Sequence, residues 1–95
     1  MKAPYQLLRA ARVALDIPHE DLAREAGVSE RTLVRIEKPQ SVSDESIARV
    51  QAALEARGVR FLPPQEGEGP GIRIPASALT IPTDRKKERD AEPTS

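Results

Sequence analysis

The sequence contains no cysteine and no tryptophan, and it has one histidine, one tyrosine and one phenylalanine in 95 residues. The absence of cysteine excludes disulfides and thiolate metal sites. A single histidine among scattered carboxylates does not predict a metal centre. The sequence also has no glycine-rich phosphate loop and no nucleophile with a plausible partner base. We therefore expect neither catalysis nor a cofactor.

Long apolar runs and net charge are also missing. No run approaches the ~20 apolar residues of a membrane span, and the opening stretch "MKAPYQLLRA" has no apolar secretory core. A cytoplasmic protein without membrane contact is expected. Lys+Arg and Asp+Glu both number 15. A polyanionic partner would therefore require local clusters of cations rather than bulk charge.

The composition changes near Leu62, because six of the nine prolines follow that residue. Before it, Leu, Val, Ile and Ala recur at helical spacing. We predict a compact helical domain over 4–62, a short β segment over 59–75 and a disordered polar tail over 76–95. Within the tail, the charged run "DRKKERD" at 84–90 is interpreted as a solvated surface.

Local signals set the bounds of the predicted helices. Pro4 suits a first helical position, and Ser29 and Ser43 suit N-caps. Gly27 fits a sharp turn, and Gly58 suits the end of the last helix. The four predicted helices span residues 4–15, 18 or 19 to 26, 30–37 and 44–57. The apolar positions expected to face a core are Leu7, Leu8, Ala11, Ala14, Leu15, Leu22, Ala23, Ala26, Val28, Leu33, Ile36, Ile47, Val50 and Leu54.

The stretch "LAREAGVSERTLVRIE" at 22–37 has the spacing of two short helices joined by a tight turn. In a helix-turn-helix the first helix supports the second across such a turn. Ala23 supplies a small residue where the helices cross closely, and Gly27 suits the turn. Leu33 and Ile36 supply the apolar side of the second helix. The joint spacing predicts a helix-turn-helix.

The longer stretch "LRAARVALDIPHEDLAREAGVSERTLVRIEK" resembles the phage repressor/Cro-type helix-turn-helix, the XRE family, over about residues 6–54. The chain is also similar to short bacterial members whose fourth helix continues into "ALEARGVRF" and then "GPGIRI". The resemblance implies a mainly α, lambda-repressor-like domain of four helices with a short C-terminal β element. It also implies a transcription regulator that binds palindromic double-stranded DNA as a homodimer.

The resemblance further implies roles for individual residues. From the residues alone, Arg31 and Arg35 share one helix face, and arginine matches the O6/N7 edge of guanine. Arg12 and Glu37 correspond to an ion pair between the first helix and the recognition helix. Pro18 departs from the family pattern because it offers no side-chain cap. The positions implied to face the major groove are Ser29, Glu30, Arg31, Thr32 and Arg35. The positions implied to contact phosphate are His19, Lys38 and Gln40.

The β segment contains two short pieces, 59–62 and 72–74, in which apolar and basic residues alternate as in strands. A lone two-stranded hairpin is marginally stable in water. It would need to pack on the helices or to pair with a second subunit. The residues predicted to form a dimer interface are Val59, Phe61, Leu62, Ile72 and Ile74.

The predicted function is sequence-specific DNA binding by a homodimer that represses transcription. Two alternatives use the same fold. One is a protein-interaction module that inhibits another regulator, and the other is an antitoxin whose tail wraps a toxin. The presence of Arg31 and Arg35 favours DNA binding, because an interaction module would not need them.

Overall fold

The computed structural model of the chain describes residues 2–82, in which four α-helices are followed by a β-hairpin and a short 3-10 turn. The prediction of a mainly helical fold with a short C-terminal β element is confirmed. The elements in chain order are α1 (Tyr5–Ala14), α2 (His19–Ala26), α3 (Glu30–Ile36), α4 (Asp44–Ala56), β1 (Arg60–Leu62), β2 (Gly71–Arg73) and the 3-10 turn (Ala76–Ala78).

The helix N-termini use two kinds of cap. The Ser29 hydroxyl accepts a hydrogen bond from the Thr32 amide at 3.0 Å, which confirms its predicted capping role. Ser43 does the same for α4. Pro4 and Pro18 have extended backbones and immediately precede α1 and α2, so Pro4 lies one position before its predicted place. Proline fits there because it has no amide hydrogen to leave without a helical partner.

Gly27 ends α2 and begins the turn to α3. Its φ of 75° lies in the left-handed region, and its amide donates to the Ala23 carbonyl at 2.9 Å. A side chain at this position would also be tightly placed, because an added Cβ would lie 3.3 Å from an Arg49 guanidinium nitrogen. Glycine therefore allows the tight turn that fixes α3 beside α2.

The hydrophobic core lies between the helices, with α2 packed against both α3 and α4 and with α1 packed against α4. Most of it comes from residues at helical spacing, as predicted. Ile17 and Val59 are also fully enclosed although they lie in connecting segments. The buried apolar residues are Ala3, Leu8, Ala11, Ile17, Leu22, Ala23, Ala26, Leu33, Ile36, Val50, Ala53, Leu54 and Val59.

The two strands form an antiparallel hairpin in which Phe61 pairs with Ile72. Farther along, Gln65 and Glu68 exchange two backbone hydrogen bonds of 3.0 and 2.9 Å in the same register. Hydrogen-bonded and non-hydrogen-bonded residue pairs alternate along an antiparallel ladder, and this alternation makes Pro63 and Pro70 a hydrogen-bonded pair. In such a pair each residue would normally donate its amide hydrogen to the other. Proline has none, so the ladder is interrupted there. We call residues 60–62 and 71–73 the stem and residues 65–68 the tip.

The hairpin packs on the helices of its own chain. Phe61, Ile72 and Ile74 are partly buried against the core. Val59 is only 2% exposed, so it offers no side-chain surface to a second subunit. Its side chain completes the helical core of its own chain, and its predicted part in a dimer interface stays a prediction.

Two predictions concern parts of the chain at the edge of this fold. The predicted tail over 76–95 begins with the 3-10 turn, and Leu79 and Ile81 beyond it are exposed. Residues 83–95, with the charged run at 84–90, lie outside the described residues. Within residues 2–82, every helix is too short or too polar to cross a membrane.

Candidate nucleic-acid interface

Helix α3 has one buried side and one exposed side. Leu33 and Ile36 face inward and are 0% and 2% exposed. Arg31 and Arg35, four positions apart, are exposed on the other side. Spacing by four places both guanidinium groups on one face of a helix. This face is therefore open to a partner along its whole length of two turns.

The remaining residues predicted on this face have different surroundings. The Ser29 hydroxyl accepts from the Thr32 amide and donates to the Thr32 hydroxyl at 2.9 Å, so both hydroxyls serve the cap. Glu30 is exposed in the first turn. Its charge is favourable there because the helix N-terminus is electropositive. Within residues 2–82, the two arginines thus supply guanidinium donors of α3 that form no ion pair.

The charges of the described chain are distributed unevenly. Ion pairs engage the side chains of Lys2, Arg12, Arg24, Arg49 and Arg57. Within residues 2–82, by contrast, Arg31, Arg35 and Lys38 form no ion pair. A chain without net charge can therefore present unneutralised cations on and beside α3.

A shallow depression along one side of α3 brings two predicted phosphate-contacting residues together. His19 and Lys38 both line it, and Arg9 of α1 lies beside them. Arg9 is exposed and has no ion pair within residues 2–82. Gln40 is exposed in the next loop but does not line this depression. The structure thus groups two of the three predicted residues and adds one arginine.

A second depression lies on the opposite side of α3. It is lined by Arg35 and Thr32 together with Ser41, Ser43 and Ser46 from the following loop and α4. Ser41 was not among the predicted contacts, because a serine in a polar loop gives no signal of its own. Its exposed hydroxyl is nevertheless the kind of group that contacts a phosphate oxygen.

Glu37 joins α3 to the two preceding helices. Its carboxylate is buried and accepts hydrogen bonds from Arg12 Nε at 2.7 Å and from Arg12 Nη2 at 3.1 Å. Arg12 also donates to the Ile17 carbonyl at 3.0 Å. His19 Nε2 lies 3.1 Å from the same carboxylate. With Nε2 directed at Glu37, only Nδ1 of His19 is left for a phosphate.

A family model described as helix-turn-helix matches residues 8–57, which is more than half of the 95-residue chain. The match begins in α1 and ends just after α4. The chain belongs to the XRE family of helix-turn-helix proteins. It is therefore a DNA-binding transcription regulator of the XRE type. No curated protein and no solved structure matches the chain.

The XRE domain has a further link between α2 and α4 that sequence reasoning missed. Arg57 Nε donates to Glu25 at 2.8 Å, and a second nitrogen of the same guanidinium contacts the other carboxylate oxygen. The hydrogen bond from Arg57 lowers the pKa of Glu25, and the same bond raises the pKa of Arg57. Their separation of 32 residues gives no local signal in the sequence.

The known role of XRE helix-turn-helix domains is DNA binding, and this family is not an enzyme family. The part of the chain that the structure describes contains no group of three or more His, Asp or Glu side chains placed to hold a metal ion. Because the matched family binds DNA, the exposed side of α3 and its two flanking depressions are the candidate site.

Proposed function

We propose that this XRE protein is a homodimeric repressor that recognises a palindromic operator by inserting α3 into the major groove. The observation that supports the proposal is the exposed pair Arg31 and Arg35. Neither forms an ion pair within residues 2–82, whereas five cations elsewhere do. An arginine fork without a protein partner can form a bidentate contact with the O6/N7 edge of guanine.

The exposed polar residues at the start and on the open side of α3 then have distinct parts in recognition. Arg31 and Arg35 contact base edges, and Glu30 accepts a hydrogen bond from cytosine N4. Ser29 and Thr32 are engaged with each other, so they first stabilise the helix end that enters the groove. Their hydroxyls can share a further bond with a phosphate or a base.

The phosphate contacts lie beside α3. Lys38, His19 and Arg9 line one depression and lie at the border of the helix that would occupy the groove. Gln40 and Ser41 extend this border into the loop before α4. Contacts of this type fix the register of the protein on the duplex without selecting sequence.

The small size of α3 supports the proposed homodimer. One seven-residue helix contacts a single half-site, and two copies related by a two-fold axis contact two half-sites about 34 Å apart. Occupation of an operator that overlaps a promoter would block transcription by excluding the polymerase. Repression therefore requires no surface beyond the one that contacts DNA and the one that joins the two copies.

Selection of bound sequences from random duplex DNA tests this proposal. We expect enrichment of a palindrome whose half-site centres lie about 10 base pairs apart. Enrichment of a single unrepeated half-site would contradict the dimer. A pool that remains random would contradict sequence-specific binding and would favour the protein-interaction alternative.

A further inference from the structure

The histidine that lines the depression beside α3 is also in contact with a buried carboxylate. His19 Nε2 lies 3.1 Å from Glu37 Oε1. Both oxygens of Glu37 already accept hydrogen bonds from the Arg12 guanidinium, so this carboxylate has no hydrogen of its own to donate. The contact therefore requires a hydrogen on Nε2, and Glu37 selects the tautomer of the neutral His19 ring.

The other ring nitrogen of His19 is the one left for a phosphate. Within residues 2–82, Nδ1 forms no hydrogen bond, and the His19 side chain is 37% exposed. In a neutral ring with its hydrogen on Nε2, Nδ1 carries a lone pair and can only accept. The phosphate oxygens of DNA are also acceptors. A neutral His19 held by Glu37 therefore has no hydrogen to donate to a phosphate.

A second proton on the ring removes this conflict. An imidazolium has a hydrogen on each nitrogen, so His19 can then donate from Nε2 to Glu37 and from Nδ1 to a phosphate at the same time. Its positive charge lies between two negative groups in that arrangement. Because an opposite charge nearby favours the charged form of a side chain, a phosphate at Nδ1 favours protonation of a ring that was neutral before DNA bound.

The depression around His19 contains further charged groups. The charged side chains that line it with His19 are Arg9, Arg12, Glu37 and Lys38. Arg9 and Lys38 form no ion pair within residues 2–82. On α4, which also packs against α2, Arg49 and Arg57 contact the other end of α2. A phosphate in the depression therefore adds the negative charge that balances these cations together with a protonated His19.

We propose that the protein takes up a proton at His19 when it binds DNA, so that its affinity for DNA increases as the pH falls through the range in which histidine titrates. This inference rests on the phosphate contact that the proposed function assigns to His19, and it adds regulation by pH. An ordinary histidine titrates at about pH 6.5, and the chain has no second histidine and no cysteine. A fall in pH near neutrality then strengthens DNA binding without a further ligand.

DNA titrations at several pH values test the inference. One probe is a random-sequence duplex at low salt, because phosphate contacts do not depend on sequence, and the other is the selected palindrome. The affinity of the unmodified protein for each duplex should increase at least about fivefold between pH 8 and pH 6. Calorimetry at pH 7 in two buffers of different ionisation enthalpy should show proton uptake on binding. Constant affinity without proton uptake would overturn the inference.

Two variants in the same depression separate proton uptake from general electrostatics. His19→Gln retains a donor for Glu37 but takes up no proton, so its DNA affinity should be the same at pH 8 and pH 6. Lys38→Ala removes a charge that is constant over this range, so binding should weaken by a similar factor at each pH and keep its pH dependence. A pH dependence that persists in His19→Gln, or that disappears in Lys38→Ala, would rule out His19 as its origin.

Nitrogen NMR of the unmodified protein decides the matter if His19→Gln loses helical circular dichroism. Because the chain has one histidine, the ring-nitrogen signals report on His19 alone. At pH 8 the free protein should carry its ring hydrogen on Nε2, and at pH 7 the doubly protonated fraction should be larger with DNA than without it. A free ring with its hydrogen on Nδ1, or a ring that stays neutral on DNA at pH 6, would refute the inference.

The same measurements distinguish a failure of this inference from a failure of the proposed function. Binding to a selected palindrome that is independent of pH overturns proton uptake and leaves the proposed function intact. Proton uptake on random duplex DNA without any selected palindrome supports the inference at His19 and contradicts the operator. A protein that binds neither duplex at any pH contradicts both.

Discussion

Glu37 is the buried charged side chain of the described residues, at 4% exposure, and its main partner is Arg12. Removal of Arg12 leaves an enclosed carboxylate that retains the contact with His19 but has lost its guanidinium partner. Breaking a buried ion pair from one side typically costs 3–5 kcal/mol. We expect Arg12→Ala to lower the free energy of unfolding by about 3 kcal/mol, as measured by urea denaturation.

The exposed pair of Arg24 and Asp21 provides the control, because both side chains are in contact with solvent. Arg24→Ala should lower the free energy of unfolding by less than about 1 kcal/mol. Equal losses for the two variants would show that the Glu37 site does not hold the three helices together.

Arg31 and Lys38 differ in what they are expected to contact on DNA. Arg31→Ala should cost on the order of 1–3 kcal/mol on the operator and relax preference at one base pair, because a fork to guanine is lost. Lys38→Ala should weaken binding to operator and random DNA alike and reduce the salt slope, because it contacts phosphate. Titrations on both DNAs at several salt concentrations measure the difference. Identical behaviour of the two variants would overturn the assignment.

The contact between α2 and α4 through Glu25 and Arg57 predicts a pH dependence. The pKa of Glu25 is lowered in the folded chain. The ionised Glu25 therefore stabilises the folded chain fully above pH 4.5, the ordinary pKa of glutamate. This stabilisation is lost as the pH falls through the lower pKa that Glu25 has in the folded chain. Both side chains are partly exposed, so the contribution at neutral pH should be below about 1 kcal/mol.

Comparison of the unmodified protein with Glu25→Gln tests this contact. The two should differ in free energy of unfolding at pH 7 and converge as the pH falls below 4.5. Glu55→Gln, which removes an exposed carboxylate of α4 without an ion pair in residues 2–82, is the control. A difference that persists in acid would show that Glu25 acts through packing instead of charge.

The features predicted correctly from the sequence are those determined by residues within one or two helical turns of each other. The caps at Ser29 and Ser43 depend on an amide three residues away, and the two faces of α3 follow from its period. The burial of Val59 was not predicted, because the residue lies in a connecting segment without helical spacing. The bond between Glu25 and Arg57 likewise joins residues from two helices, and no local pattern indicates it.

At the scale of the whole molecule, the proposed two-fold dimer would fix the angular phase of its two α3 helices on DNA. Insertion of five base pairs between the half-sites turns the second half-site to the far side of the duplex. This insertion should lower operator affinity at least tenfold, about 1.4 kcal/mol. Insertion of ten base pairs returns the second half-site to the same side of the duplex, but the two half-sites are then too far apart for two rigidly joined α3 helices. Retained affinity with five inserted base pairs would contradict a fixed dimer, and gel-shift titrations of the three DNAs measure it.

The seven-residue length of α3 also limits the number of base pairs that one molecule can specify. At about 1.5 Å per residue the helix is about 10 Å long, the height of roughly three base pairs. Six specified base pairs in a dimer recur by chance about once in 4,000 positions, whereas a genome offers about a million or more competing sites. For the proposed homodimer we therefore expect a unique target to depend also on DNA that bends easily between the half-sites or on several operators in a row.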